Sequence, residues 1–278
     1  MSGNVRVAVL FGFGINCDRE TAAVFDMVGG VSERLHVNNL VQGNRSLEEF
    51  DILAVPGGFS FGDHLGSGRL LGNRLRFALR EQLQKFVSSG KPIIGICNGF
   101  QALVKTGLLP GPENASLEPD LIQRASLTLN NTGRYEDRWV TLEFDSQSPC
   151  IWTKGIQRIE CPVRHGEGRF VMPTNSELDR LSSNHQLTVR YVDPSTEPGA
   201  GLSDDLLPFP LSPNGSMRNI AGICDPTGLV FGLMPHPEAF YTMWLHPEHT
   251  SMKLNEDEWE GAGLQIFRNA VEYVRSQR

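Results

Sequence analysis

The chain alternates short, continuous apolar runs with longer amphipathic ones. Val5 to Phe11 is apolar at Val5, Val7, Ala8, Val9 and Leu10. A run that continuous and that short predicts a strand covered on both faces. The turn Gly12-Phe13-Gly14-Ile15-Asn16 follows, and Asn16 or Asp18 is placed to cap a helix through Thr21, Val24, Phe25 and Met27, stopped at Gly29-Gly30. A second strand is expected over Ser32 to Asn38 and a third over Asp51 to Val55, ended by Pro56-Gly57-Gly58. Leu71, Leu75, Leu79, Leu83 and Phe86 predict one long helix from Leu70 to Val87, closed by Ser88-Ser89-Gly90. Pro92 to Ile96 is a fourth strand, and Phe100 to Val104 opens another helix.

After Gly107 the rhythm changes. Leu108 to Asp120 reads as loop, and Ser126 to Phe144 alternates as antiparallel strands do. Pro194 to Asn214 reads as an exposed loop. Leu229 to Met234 is a further buried strand ended by Pro235, and Gly263 to Arg275 a closing amphipathic helix. The order predicts an α/β fold: a mostly parallel sheet flanked by helices, built of right-handed crossovers, with some added antiparallel strands. No linker or repeat divides it, so we expect one domain over residues 1–278.

Composition narrows the function classes. Hydrophobic residues make up 40% and charged residues 21% of the 278, as in ordinary globular proteins. A formal net charge of −7 argues against nucleic acid as a partner. No apolar run is long enough to cross a membrane, and Met1 to Leu10 lacks the plan of a secretory signal. Five scattered cysteines suggest no disulfide framework and point to the reducing cytoplasm.

The chemistry concentrates at Gly95-Ile96-Cys97-Asn98-Gly99, between the fourth strand and its helix. A Gly-x-nucleophile-x-Gly turn in that setting lifts its central side chain out at the strand end, and the helix N-terminus favours the reactive thiolate. The bland alternative is a small buried cysteine. A base is needed, and His236 in Met234-Pro235-His236-Pro237-Glu238 also follows a buried strand. In one parallel sheet Cys97 and His236 would emerge at the same edge, with Glu238 two residues on to orient the imidazole. The amides of Gly58 and Asn98 are candidate oxyanion donors. His246-Pro247-Glu248 repeats the motif without a long strand before it. Cys17 also lies between strand and helix but lacks flanking glycines, so we read it as a packing residue near the site. We expect no metal, since His236, His246 and His249 match no standard zinc spacing. These residues alone also fit another elbow-cysteine hydrolase, or a binding module of the same fold.

Taken in order, the elbow cysteine, the Pro-Gly-Gly turn and the late His-Pro-Glu resemble the class I (triad) glutamine amidotransferases, whose fold is flavodoxin-like. Asn16 to Glu20, Pro56 to Asp63, His165 to Arg169, Pro213 to Ser216 and Ile220 to Ile223 are most similar to the purine-biosynthesis branch. The resemblance implies that Cys97 attacks the side-chain amide of L-glutamine, and that His236 and Glu238 complete the triad. It implies that Gly57 and Gln101 help to hold the substrate. The ammonia would pass to a separate synthetase subunit, with room for a small third subunit, that uses ATP and Mg to turn formylglycinamide ribonucleotide into the amidine. No cofactor is implied in this chain. Asp63, Arg69 and His165 would lie near the subunit interface. Extra length relative to a minimal glutaminase is expected in Leu108 to Asp120, Asp193 to Ser212 and Tyr241 to Glu260.

Overall fold

The computed structural model describes residues 3–113, 121–199, 202–252 and 259–278. Eleven strands and seven α-helices are assigned among them. In chain order they are β1 (Arg6–Phe11), α1 (Asp18–Met27), β2 (Val31–His36), α2 (Val37–Val41), β3 (Ile52–Val55), α3 (Arg69–Ala78), α4 (Arg80–Ser88), β4 (Ile93–Ile96) and α5 (Asn98–Thr106). There follow β5 (Ser126–Thr128), β6 (Glu136–Phe144), β7 (Arg158–His165), β8 (Arg169–Val171), α6 (Asn175–Ser183), β9 (Val189–Tyr191), β10 (Ile220–Cys224), β11 (Val230–Leu233) and α7 (Leu264–Ser276).

Nine strands form one sheet in the order β2-β1-β3-β4-β11-β10-β9-β6-β7, and β5 pairs with β8 apart from it. From β2 to β11 every pairing is parallel. From β11 to β7 every pairing is antiparallel. β3, β4 and β11 are buried at every position, as expected of strands covered on both faces. The fold is the expected one: a large, mostly parallel sheet with helices and added antiparallel strands. One continuous set of buried apolar side chains runs through both halves. α1 meets α7 where Phe25 stands edge-on to Phe267 at 5.1 Å.

Four expectations change in detail. The long helix breaks in two, because Leu79 leaves helical geometry at φ −119° and ψ 17°. Four-residue spacings overshoot a 3.6-residue turn by about 40° each. From Leu71 to Leu83 that drift sums to about 120°, and the break at Leu79 divides the stripe between two helices. α1 starts at Asp18 with Cys17 at its N-cap and no side-chain cap, while Asp18 bonds Arg34 at 2.5 Å instead. The stretch 126–144 divides between two sheets, β5 against β8 and β6 against β7. The loop before β10 is exposed only in part, since Asn214 and Ser216 are fully buried. Asn214 donates to the Gly168 carbonyl at 2.9 Å and to the Tyr191 hydroxyl at 3.2 Å.

Of the expected extra loops, residues 114–120, 200–201 and 253–258 lie outside the described residues. Among the described residues no helix is long and apolar enough to cross a membrane.

Candidate active site

Cys97 stands between β4 and α5 with φ 50° and ψ −106°, a conformation that a side-chain-bearing residue adopts only under constraint. The constraint comes from the glycines on either side, though not through their own dihedrals, which are ordinary. A β-carbon on Gly99 would lie 1.7 Å from the Val55 carbonyl oxygen, and one on Gly95 2.8 Å from Gly99. The two glycines let α5 start hard against β3 and β4, and the cysteine between them is forced upward. Its N–H bonds the Leu233 carbonyl at 2.8 Å, which ties the elbow to β11.

β11 pairs with β4 in parallel register, Leu233 opposite Ile96, so the base arrives beside the nucleophile. The His236 N–H is held by the Pro162 carbonyl of β7 at 2.8 Å. Its Nδ1 lies 2.6 Å from Oε1 of Glu238, and both side chains are buried. That contact gives the ring its tautomer: Nδ1 carries the proton shared with the carboxylate, and Nε2 is left for chemistry. Nε2 is buried and makes no hydrogen bond. Burial opposes a charge on His236. The Glu238 carboxylate and the thiols of Cys97 and Cys17 outweigh it, and the pKa of the ring is raised well above its ordinary value.

Gly57 is where these groups converge. A β-carbon there would meet Cε1 of His236 at 2.7 Å, and the Cys17 sulfur and the Cys97 β-carbon at 3.4 Å each. Its expected part in holding substrate therefore has a steric side: any other residue would push the triad apart. Gly58 adopts φ +144°, and a β-carbon on it would strike the Gly14 carbonyl at 2.6 Å. Gly58 lines the same cavity as Cys97. The Asn98 N–H opens α5, where first-turn donors have no helical acceptor. The Asn98 side chain is busy elsewhere, donating to Asp63 at 3.1 Å and to Gln101 at 3.0 Å.

Two adjoining cavities border Cys97. One, of about 230 Å³, is lined by Asp63, Ser67, Gln101, His165 and Glu167 among others. The other, of about 160 Å³, is lined by Asn16, Cys17, Glu20 and His236 among others. Gly58, Phe59, Tyr135 and Arg164 border both. Gln101 lines the first, but its amide is engaged at both ends, accepting from Asn98 and donating to the Glu167 carbonyl at 2.5 Å. It braces the wall.

The chain matches, over residues 4–274, the family described as the CobB/CobQ-like glutamine amidotransferase domain. The chain belongs to this family. It is 43% identical over 271 residues to the phosphoribosylformylglycinamidine synthase subunit PurQ of Dehalococcoides mccartyi, covering 98% of each chain. It is 41% identical over 276 residues to PurQ of Methanococcus maripaludis, covering 96% of this chain and 97% of that one. Its fold is similar to a chain of the solved PurLQS structure from Thermotoga maritima, with TM-score 0.69 and 26% identity over 98% of this chain. It also shares the fold of another Thermotoga maritima glutamine amidotransferase, with TM-score 0.51, at 18% identity and 98% coverage.

For this amidotransferase the structure revises one expectation and completes others. His165 is 3% exposed, with Nδ1 bonded to Asn130 at 3.1 Å, so its side chain is withdrawn as an interface contact. Burial pushes its pKa down to about 3, so it is neutral. Asp63 turns inward to Ser67 and Asn98, and desolvation raises its pKa. Arg69 is exposed. The second His-Pro-Glu is a separate feature: His246 takes Glu160 as its carboxylate partner at 2.6 Å and packs on Trp139. His236, His246 and His249 are not brought together. Tyr135 and Arg164 are wall residues that pattern reading did not single out, and Phe59 and Glu167 lay inside quoted motifs without being given a role. The Arg164 carbonyl accepts from the Cys97 thiol at 3.6 Å. Glu167 and Arg164 lie in or beside a stretch picked out as a motif, whereas Tyr135 carried no signal of its own.

Proposed function

We propose that this chain is the glutaminase subunit of phosphoribosylformylglycinamidine synthase, acting in purine biosynthesis. The observation that carries the mechanism is the strained cysteine at the end of β4 with a buried His-Glu pair at the end of β11, strands in direct register. The Cys97 sulfur adds to the amide carbon of L-glutamine. The N–H groups of Gly58 and Asn98 receive the developing oxyanion, each such donor being worth about 3 kcal/mol in the transition state. His236 takes the thiol proton and passes it to the leaving nitrogen, while Glu238 steadies the imidazolium. Ammonia departs and a γ-glutamyl thioester remains. Water, deprotonated by the same imidazole, cleaves the thioester to glutamate and frees the thiol.

The ammonia would go to a synthetase on another polypeptide, the chain to which the names PurL and PurLQS point, with a small third subunit of the PurS kind. ATP and Mg would be used there and no cofactor here. We place the assembly in the cytoplasm, where Cys97 stays reduced; all five cysteines are free. Exposed Phe59, Leu65, Leu129 and Tyr135 belong to the cavity mouth or the segments beside it, an apolar rim suited to docking. The test is glutamate release from glutamine by the chain alone and with its synthetase. Release should be weak alone and strong with partner, nucleotide and ATP. Cys97→Ala should lower it by about 10³-fold or more, and a Cys97→Ala chain that keeps full activity would sink the mechanism.

A further inference from the structure

The two oxyanion amides come from different segments, Gly58 after β3 and Asn98 at the start of α5. The covalent chain does not set their separation, and an error of about 1 Å in such a site can cost a hundredfold in rate. The buried side chain of Asn98 spans the gap. Its Oδ1 accepts the N–H of Ser60, two residues past Gly58, at 3.3 Å. Its Nδ2 donates to Oδ1 of Asp63 at 3.1 Å and to Oε1 of Gln101 at 3.0 Å. These partners allow the amide one orientation. Turned over, it would set its oxygen against the Asp63 carboxylate and its NH₂ against the Ser60 N–H. Asp63 is held in turn: its Oδ2 accepts from the Ser67 hydroxyl at 3.0 Å. The Ser67 N–H reaches Oε2 of Glu167 at 3.2 Å, and the Gln101 amide donates to the Glu167 carbonyl at 2.5 Å. The bonds close a ring through Asp63, Asn98, Gln101, Glu167 and Ser67. That ring holds a turn in which Phe61 at φ 55°, Gly62 at φ 66° and Asp63 at φ 53° are all left-handed, a conformation that side-chain-bearing residues keep only when their surroundings over-determine it.

We propose that the Asn98 side chain is the strut that spaces the two oxyanion amides, and that Asp63 is the positioning residue that orients it. The inference rests on the glutaminase reading above and adds a task for two side chains to which that reading gave none. Neither side chain meets the reacting atoms in this role. Both act through the backbone: Asn98 carries one donor itself and grips the segment that carries the other. The strut matters most when the amide carbonyl of glutamine becomes a tetrahedral oxyanion. Its loss should therefore lower kcat and leave the KM for glutamine nearly unchanged.

The experiment measures kcat and KM for glutamate release in the complex with the synthetase, using variants first shown to be folded. Asn98→Ala keeps the backbone N–H and removes the strut. Asp63→Gly keeps the left-handed turn and removes the carboxylate. Each should lower kcat by about 10- to 100-fold, with KM within about threefold of the unaltered chain. Asp63→Asn still offers an oxygen to Asn98 and tolerates the positive φ, so it should keep kcat within about threefold. The double variant Asn98→Ala with Asp63→Gly should be little worse than the poorer single, because both changes break one strut. The aldehyde analogue of glutamine, to which the Cys97 thiol adds reversibly to give a tetrahedral adduct, should bind more weakly by about the same factor as kcat falls. Full kcat in both Asn98→Ala and Asp63→Gly overturns the proposal. A rise in KM with kcat kept also overturns it and makes Asp63 a substrate contact, and Asp63→Asn as slow as Asp63→Gly overturns the orienting role. If Asn98→Ala does not fold, the comparison of Asp63→Gly with Asp63→Asn decides alone. An unaltered complex that releases no glutamate is a different result: it removes the glutaminase reading and the strut with it.

Discussion

From β2 to β11 the sheet is parallel and its strand ends carry the reacting groups: Gly57 after β3, Cys97 after β4, His236 after β11. From β10 to β7 it is antiparallel and supplies the wall: Arg164 and His165 at the end of β7, Tyr135 just before β6. In the first half, function depends on backbones meeting at distances that no β-carbon permits. In the second it depends on side chains and carbonyls arranged over a hairpin, where Glu136 pairs with His165. One of the bonds that join the halves, from the His236 N–H to the Pro162 carbonyl, ties the base to the wall, so the base is held from both sides.

Matched glycine substitutions should split the halves most sharply. Gly99→Ala drives a β-carbon into the Val55 carbonyl, a gap of 1.7 Å with backbone on both sides. We expect a loss of about 3 kcal/mol or more, or failure to fold. Gly166→Ala, in the wall, meets only Tyr135 at 3.8 Å and needs no unusual dihedral, so it should stay within about 0.5 kcal/mol. Urea unfolding of the two variants checks this, and similar losses in both would erase the contrast.

Acid should attack the wall half through His165. Its folded pKa, about 3, lies below the ordinary value of 6.5 because burial disfavours the charge. Between those values the unfolded chain binds more protons than the folded one, so stability falls as pH drops below about 6.5. The slope approaches about 1.4 kcal/mol per pH unit near pH 4–5 and fades below the folded pKa. His165→Asn should flatten that part of the curve in unfolding experiments run from pH 7 to 4. An unchanged slope would mean that His165 is not the group responsible.

The same contrast decides what could be read without coordinates. Cys97, His236 and Glu238 are legible because their chemistry follows from local context: a turn after a buried run, and a carboxylate two residues from an imidazole. The parallel fold is legible for the same reason. The wall is not. Tyr135 acquires a role only when the β6–β7 hairpin brings it to the cysteine, and nothing around it in the chain records that pairing. His165 was visible as a motif, but its burial was not, because the Asn130 that holds it comes from a different segment. Leu79 shows a third limit: the apolar stripe locates the helical stretch but not the break that divides it.

Tyr135 tests the wall more gently. It is half exposed, borders both cavities and stacks near Phe59 with centroids 6.3 Å apart. Tyr135→Ala should raise the KM for glutamine by up to about tenfold, the equivalent of about 1.4 kcal/mol, with a smaller change in kcat. A fall in kcat alone would move Tyr135 from the wall to the chemistry.

The smallest expected effect concerns the two cysteines of the parallel half. Each is the N-cap of a helix following a strand, Cys17 of α1 and Cys97 of α5. They differ in the backbone. Cys17 sits at φ −93° and ψ 18°, relaxed and reached without glycine neighbours, while Cys97 is held at φ 50° and ψ −106° by Gly95 and Gly99. Burial pushes the Cys17 thiol above its ordinary pKa, so it keeps its proton at neutral pH and is a poor nucleophile. Cys17→Ala removes a neighbour of His236 and leaves the elbow, the His-Glu pair and the oxyanion donors in place. Glutamate release should therefore drop by no more than about threefold, less than 1 kcal/mol in the barrier. Loss of activity in a chain that still folds, beside survival of it in Cys97→Ala, would exchange the roles of the two thiols and show that strain at the elbow is not what marks the nucleophile.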